Sequence, residues 1–384
     1  METLAIFKEV ATNVNNTYIK NFKNNGGKII GYNCSFLPVG EIYDSASMLG
    51  FRLRANEAES TTIGDAYYGA VICGFPKRML QMAADGKYGF LDGLVTSTGC
   101  DAMRRIYDCW EKAAEDGNAM LPSFFRLFGI PHKSLDFNRE WFQAEIRDHI
   151  RDLEEHFSVD ITEEKLNRSI KKFNKARGLL QELDRLRQTN NPPISGAAAL
   201  AVMISSTGMP MDDYIILLTT LLGELKENRS TVSKKRLMIV GSVNDDIAFI
   251  KSMEEEGCIV VADALCFGSR FFENYISENG NPIQALARGY LDDVKCPRMI
   301  GQYKARRSYI IEKATTANVD GVILQNIKFC DLHGSENGVL EKDLEKRGLP
   351  CLVLEREYKS SSDTGRLKMR IDAFLRRIST YENG

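Results

Sequence analysis

Short apolar runs that end in Gly, Ser or Cys alternate along the chain with segments whose apolar positions recur every three to four residues. That alternation predicts parallel sheet covered by helices. In the first half, 28–32, 51–54 and 93–96 read as strands. Pro38 stands where a first helical turn would open, Ile42, Ala46 and Leu49 follow at helical spacing, and Gly50 is the expected stop. Pro76 opens a second helix through Leu80. A third, from about Asp101, carries Met103, Ile106, Tyr107 and Trp110 on one face.

From Trp141 to Gln188 the pattern is purely helical. Phe142, Ile146, Ile150, Leu153 and Phe157 form one stripe, and Asp160 and Glu163 form a capping arrangement ahead of Leu166, Ile170, Phe173, Leu180 and Leu183. This reads as a helical hairpin between two α/β lobes. Beyond it lie a helix pair at 195–206 and 211–227, then a strand at 236–240, a helix to Glu256 and a strand at 258–261, which together make a βαβ unit. Strands at 321–325 and 351–355 and a helix through Ile378 complete the second lobe. The expected division is 1–140 for the first lobe, 141–190 for the connector and 191–384 for the second lobe. No internal repeat is obvious, which leaves open whether the lobes share a topology.

A chain of 384 residues is long enough for two or three domains at about 150 residues each. Lys+Arg is 50 and Asp+Glu 52, so the formal net charge is -2, with no electrostatic footprint for nucleic acid or anionic lipid. The stretch 188–211 lacks charge, but Pro192, Pro193, Gly196, Gly208 and Pro210 interrupt it. The apolar core that remains, 194–204, suits a buried helix and not a membrane span. Glu2, Lys8 and Glu9 at the start do not match a secretory signal, so a reduced, cytoplasmic setting is expected.

The cysteines change the picture. There are 9, an odd count without any CxxC, which excludes a disulfide scaffold and a local zinc module. Four share one kind of place: Cys34 in NCSFLP, Cys73 in ICGFP, Cys100 in STGCD and Cys330 in KFCDLHG each lie where an apolar run gives way to a helix start. The carboxyl edge of a parallel sheet is where helix N-termini converge, and a thiolate is stabilised there. Three such thiolates could ligate three irons of a [4Fe-4S] cluster and leave the fourth open. Equally, a buried free cysteine is an ordinary small hydrophobe. Cys109, on the Ile106/Trp110 face, and Cys258 and Cys351, in strands, read as core. Cys266 and Cys296 fall in loops and stay open. His132, His149 and His156 read as surface groups. Arg52, Arg54, Arg104 and Arg105 read as surface pairs or phosphate contacts.

The segments DGLVTSTGCDAMRR, VVADALCFGSR, DGVILQNIKFCD and LEREY, with the Pro38-Glu41-Ile42 region, resemble the benzoyl-CoA reductase / 2-hydroxyacyl-CoA dehydratase subunits over nearly the whole chain. KFCDLHGSEN, LEREY and Thr364-Gly365-Arg366 are more similar to the small (C-type) subunit of ATP-dependent benzoyl-CoA reductase. The resemblance implies two lobes with flavodoxin- or Rossmann-like parallel sheets and a [4Fe-4S] cluster on Cys73, Cys100 and Cys330. Cys34 is a further candidate ligand, where Pro38-Val39-Gly40-Glu41 replaces the Pro-Glu-Glu run of many dehydratase subunits. It also implies an aryl-CoA or acyl-CoA substrate, a related second catalytic subunit and an ATP-hydrolysing iron-sulfur activator. The chain has no GxxxxGK[ST] loop, in keeping with a separate activator.

His333 and Glu336, just after Cys330, are candidate proton donors, unless Glu336 instead caps the helix running through Leu340 and Leu344. The activity expected first is reduction of an aromatic acyl-CoA to a dienoyl-CoA through a ketyl. The alternatives are a 2-hydroxyacyl-CoA dehydratase subunit, a small-molecule reductase that recruits Cys34, Cys266 and Cys296 to a double-cubane cluster, and a two-lobed binding module without redox chemistry.

Overall fold

The computed structural model describes residues 1–227, 234–292, 294–359 and 364–381. The first lobe runs α1 (Glu2–Thr12), α2 (Thr17–Asn24), β1 (Ile29–Tyr32), α3 (Val39–Ser45), β2 (Leu49–Arg52), α4 (Thr62–Tyr67), α5 (Gly74–Ala84), β3 (Gly93–Ser97), α6 (Asp101–Glu115) and β4 (Phe124–Phe128). A hairpin of α7 (Asp136–Phe157) and α8 (Glu163–Arg187) follows. The second lobe comprises α9 (Gly196–Ser205), α10 (Met211–Glu227), β5 (Lys235–Gly241), α11 (Ile247–Glu254), β6 (Cys258–Ala264), α12 (Pro282–Leu291), α13 (Tyr303–Thr316), β7 (Gly321–Ile327), α14 (Asp331–Glu345), β8 (Cys351–Arg356) and α15 (Thr364–Tyr381). Among the described residues no helix is long and apolar enough to cross a membrane.

The strands form two four-stranded parallel sheets, ordered β2-β1-β3-β4 and β6-β5-β7-β8. The two orders are the same once each lobe is counted from its own first strand, so the lobes share a topology. In each the chain reverses direction of travel between the first and third strands, and the crevice at the carboxyl ends of those strands is where open α/β sheets build sites. Every residue of β1, β3 and β7 is buried, which is why they read as continuous apolar runs with no alternation. One apolar core runs beneath both lobes, joining Leu80, Leu94 and Ile106 to Leu237, Ile323 and Leu354.

Several local expectations are corrected. The helix after Pro38 ends at Ser45, not at Gly50. Ser47 takes a left-handed φ of 58°, which closes the helix and frees Leu49 and Gly50 to begin β2. The cap of α8 is Thr162, whose side chain accepts from the Lys165 amide, while Asp160 pairs with the Lys165 ammonium at 3.0 Å. Strand β4 was not expected, because Arg126 interrupts its short apolar run. His149 is fully buried, against the surface placement expected for it: its Nε2 stands 3.2 Å from the Tyr43 hydroxyl. Arg54 is likewise fully buried, donating to the carbonyl oxygens of Val10 at 2.8 Å and Asn13 at 3.3 Å.

Candidate functional site

Six of the nine cysteines line one cavity of about 110 Å³. Cys34 reaches it from the loop after β1, and Cys73 and Cys100 from the N-cap positions of α5 and α6. Cys266 comes from the loop after β6, Cys296 from the loop between α12 and α13, and Cys330 from the N-cap of α14. Each lobe therefore contributes three. All nine cysteines are free thiols. The other three are spent on packing, with their S–H groups directed at carbonyl oxygens: Cys109 at Tyr67, Cys258 at Met253 and Cys351 at Leu349.

Burial dominates the thiol chemistry. It pushes the Cys73 thiol up to about 11 and Cys330 up to about 12, and it raises Cys34 and Cys100 as well. The amides of Phe36, Phe75, Met103 and His333 oppose the rise at Cys34, Cys73, Cys100 and Cys330, as helix-start N–H groups do. Each of these thiols thus needs a bound cation to become a ligand at neutral pH, and loading would release protons.

Three guanidinium groups share the cavity wall, and among the described residues the wall contains neither Asp nor Glu. Arg52, expected at the surface, is only 2% exposed. It donates to the Cys266 carbonyl oxygen at 2.6 Å and to the Cys266 Sγ at 3.2 Å, with the Phe267 ring 3.7 Å from its centre. Arg298 donates to the carbonyl oxygens of Thr98, Gly99, Ile130 and Pro131. Arg270 donates to those of Gly241 and Lys295, both at 3.0 Å. Among the described residues none of the three pairs with a carboxylate, and the Nε–H groups of Arg52 and Arg270 are buried without a hydrogen-bond partner. Uncompensated buried charge is costly. An anionic, sulfur-rich group held between the lobes would supply the missing counter-charge and acceptors.

The donor set also separates one metal ion from a cluster. Among the described residues no three His, Cys, Asp or Glu side chains are grouped to hold a single ion. A lone metal draws its sulfur ligands to about 2.3 Å. In an iron-sulfur cluster each cysteine takes a different iron, so the sulfurs stand apart. Six thiols around one cavity are more than a single tetrahedral ion takes, which fits the second case.

Of the two proton-donor candidates, only His333 lines the cavity. Burial, then Arg270 and Arg306, hold its imidazole well below the ordinary histidine range, so the ring is neutral at physiological pH. Glu336 faces elsewhere. It forms a two-point ion pair with the buried Arg306, which in turn donates to the carbonyl oxygens of Cys296 at 3.1 Å and Met299 at 2.9 Å. Nor does Glu336 cap its helix, because α14 begins at Asp331 and places Glu336 in the second turn. Arg104 and Arg105 are exposed on α6 and do not line the cavity.

Four of the cavity's cysteines stood out in the sequence by their position before a helix. Cys266 and Cys296 did not, because their loops meet the others only across the two lobes. Their one local signal is that both fall in loops and not on a helix face.

A model of the 2-hydroxyglutaryl-CoA dehydratase D-component family matches residues 34–378. The chain is similar to a benzoyl-CoA reductase subunit of Thauera aromatica, 25% identical over 349 residues, covering 89% of this chain and 87% of the relative. It is similar to the (R)-phenyllactyl-CoA dehydratase beta subunit of Clostridium sporogenes, 23% identical over 352 residues, 91% of this chain and 92% of the relative. The putative dehydratase subunit YjiM of Escherichia coli (strain K12) is 23% identical over 368 residues, 93% of each chain.

Proposed function

The chain belongs to the 2-hydroxyglutaryl-CoA dehydratase D-component family, that of benzoyl-CoA reductase and 2-hydroxyacyl-CoA dehydratase subunits, and from that premise we propose an iron-sulfur reductase subunit with a double-cubane cluster. One observation carries the reading: Cys34, Cys73, Cys100, Cys266, Cys296 and Cys330 line a single cavity, three from each lobe. A [4Fe-4S] cluster takes at most about four cysteines, so six favour two cubanes sharing the cavity. When bound, the cluster supplies electrons at low potential.

The chain's own residues do the rest. Arg52, Arg270 and Arg298 offset the negative charge of the thiolates, and the free Nε–H groups of Arg52 and Arg270 donate toward them. Phe36, Phe75, Val243, Ile327 and Leu332 keep the cavity apolar and exclude water. His333 presents a neutral ring at the wall, where its N–H group can donate a hydrogen bond that orients a bound substrate. Electrons come from a separate ATP-hydrolysing iron-sulfur activator, since this chain has no phosphate loop. A related second subunit completes the complex, as the relatives are themselves named as subunits.

A second reading keeps one [4Fe-4S] cluster on Cys73, Cys100 and Cys330 and reduces an aryl-CoA. Its support is the likeness to the Thauera aromatica benzoyl-CoA reductase subunit and the shared N-cap placement of those three thiols. Iron and sulfide analysis after anaerobic purification separates the two: about eight irons per chain supports the double cluster and about four the single one. Protein that stays iron-free after anaerobic reconstitution overturns both, leaving a binding module. Turnover of benzoyl-CoA or of a 2-hydroxyacyl-CoA, assayed with activator, ATP and a strong reductant, then identifies the acyl-CoA reaction if the count is about four.

A further inference from the structure

The loop that carries Cys266 closes on one carboxylate. Asp263, near the end of β6, is buried, and its Oδ1 accepts from the backbone amides of Leu265 at 3.1 Å and Ser269 at 2.8 Å. Its own carbonyl oxygen accepts from the Ser269 hydroxyl at 2.6 Å. These hydrogen bonds bracket Cys266 and clamp the two ends of the loop 263–269 together. Gly268 fits against the same oxygen, since an added Cβ there would collide with the Asp263 Oδ1. The other carboxylate oxygen pairs at 2.6 Å with Arg187, which is buried in the last turn of α8 and also donates to the Val261 carbonyl oxygen at 3.1 Å.

The clamp reaches a second thiol. Arg270 follows Ser269 directly, and its guanidinium donates to the carbonyl oxygens of Gly241, at the end of β5, and of Lys295, the residue before Cys296, both at 3.0 Å. From the first lobe, Arg52 grips Cys266 itself at its carbonyl oxygen and sulfur. Opening the 263–269 bracket would therefore free Cys266 from Arg52 and the Cys296 loop from Arg270 together. Cys73, Cys100 and Cys330 stand at helix N-caps, apart from this bracket.

We propose that Asp263 is a positioning residue for Cys266 and Cys296. It acts through Gly268, Ser269 and Arg270, and by its acceptor oxygen rather than by the charge it shares with Arg187. The proposal deepens the double-cubane reading and rests on it for its bearing on iron, but its geometry is tested on metal-free protein. Thiol labelling judges the positioning and the iron content of the wild type judges the cluster, so each can fail without the other.

The experiment is alkylation of the reduced, metal-free full chain with iodoacetamide, read at each cysteine by peptide mass spectrometry. Labelling follows access and local opening, so Asp263→Ala should label Cys266 and Cys296 about tenfold faster than wild type and leave Cys73, Cys100 and Cys330 within about twofold. Asp263→Asn keeps an acceptor oxygen for the two amides and gives up the ion pair. It should label all five within about twofold of wild type, a rescue that a merely stabilising ion pair would not show. Gly268→Ala, which displaces the carboxylate and keeps its charge, should also accelerate Cys266 and Cys296 about tenfold, and it decides the matter should Asp263→Ala unmask the core thiol Cys258. Where the wild type binds about eight irons after reconstitution, Asp263→Ala should bind about four. Wild-type labelling of Cys266 and Cys296 in Asp263→Ala and Gly268→Ala, acceleration of Cys266 without Cys296, Asp263→Asn as fast as Asp263→Ala, or an unchanged iron count overturns the proposal.

Discussion

Arg52 holds Cys266 at two points, with one guanidinium nitrogen 2.6 Å from the carbonyl oxygen and another 3.2 Å from the sulfur. The same side chain thus fixes a loop and sets the charge beside a thiol. Removing it takes one positive charge from the wall of a cavity expected to hold an anionic group. Reduction adds negative charge, so the reduced state suffers more. Arg52→Gln should lower the midpoint potential of the reconstituted cluster by on the order of 60 mV, the equivalent of about 1.4 kcal/mol for one electron. A redox titration followed by electron paramagnetic resonance measures it, and an unchanged potential contradicts the assignment.

The cysteine substitutions divide by set. Cys266→Ser and Cys296→Ser should each reduce iron from about eight to about four per chain, because the proposed ligands Cys73, Cys100 and Cys330 remain. Cys100→Ser should remove the other half. Iron content that Cys266→Ser and Cys296→Ser both leave at the wild-type value would restrict the site to the other four thiols.

Glu336 acts on Cys296 through Arg306 and not on the cavity directly. Glu336→Gln weakens a mostly buried ion pair and loosens the Cys296 loop. The expected result is iron loss to a chelator about tenfold faster than wild type, as for changes behind a metal ligand. Normal iron retention with lost turnover would instead mark Glu336 as a proton donor.

His149 makes an acid-sensitivity prediction. Burial, then Arg126, holds its pKa down to about 3 in the folded chain, against 6.5 ordinarily. Between these values the unfolded chain binds a proton that the folded chain does not, so stability falls as pH falls, by up to about 1.4 kcal/mol per pH unit. His149→Gln, neutral throughout, should show a flatter loss of stability from about pH 6 to 4 in urea titrations. Parallel slopes for variant and wild type would mean that His149 is charged when folded.

Glu41 and Arg177 form a pair with side-chain exposures of 0% and 8%. Glu41→Ala leaves a guanidinium buried without its partner and should cost about 3–5 kcal/mol in urea unfolding. Tyr290→Phe, which removes two hydrogen bonds, one accepted from Arg177 and one donated to Glu41, should cost about 2 kcal/mol. Similar small losses for both would mean that water replaces the carboxylate.

Much of the fold was legible because its central strands are buried on both faces and so are continuously apolar, as in 93–97 and 321–327. The N-cap cysteines were legible for a related reason, since a helix start after a strand is a local event. His149 was hidden by its neighbours Arg147 and Asp148, although it stands three residues after Ile146 and four before Leu153 on the buried stripe. The α3–β2 boundary was misplaced because Leu49 fits a helical face as well as a strand, and the turn at Ser47 leaves no trace in the hydrophobic pattern. Cys266 and Cys296 belong to the site only through the meeting of two lobes, which no window of sequence contains.

The cavity's walls are also ordered in time. Its first thiol follows β1, while its last precedes α14 and hangs from β7, an interior strand of the second sheet flanked by β5 and β8. Chains fold from the N-terminus as they are made. The second sheet cannot close until β8 has left the ribosome, so five of the six thiols wait, unassembled, for the last. Loading of the proposed cluster is therefore a task for the finished chain, and a truncation that removes β8 should yield a protein that takes up no iron.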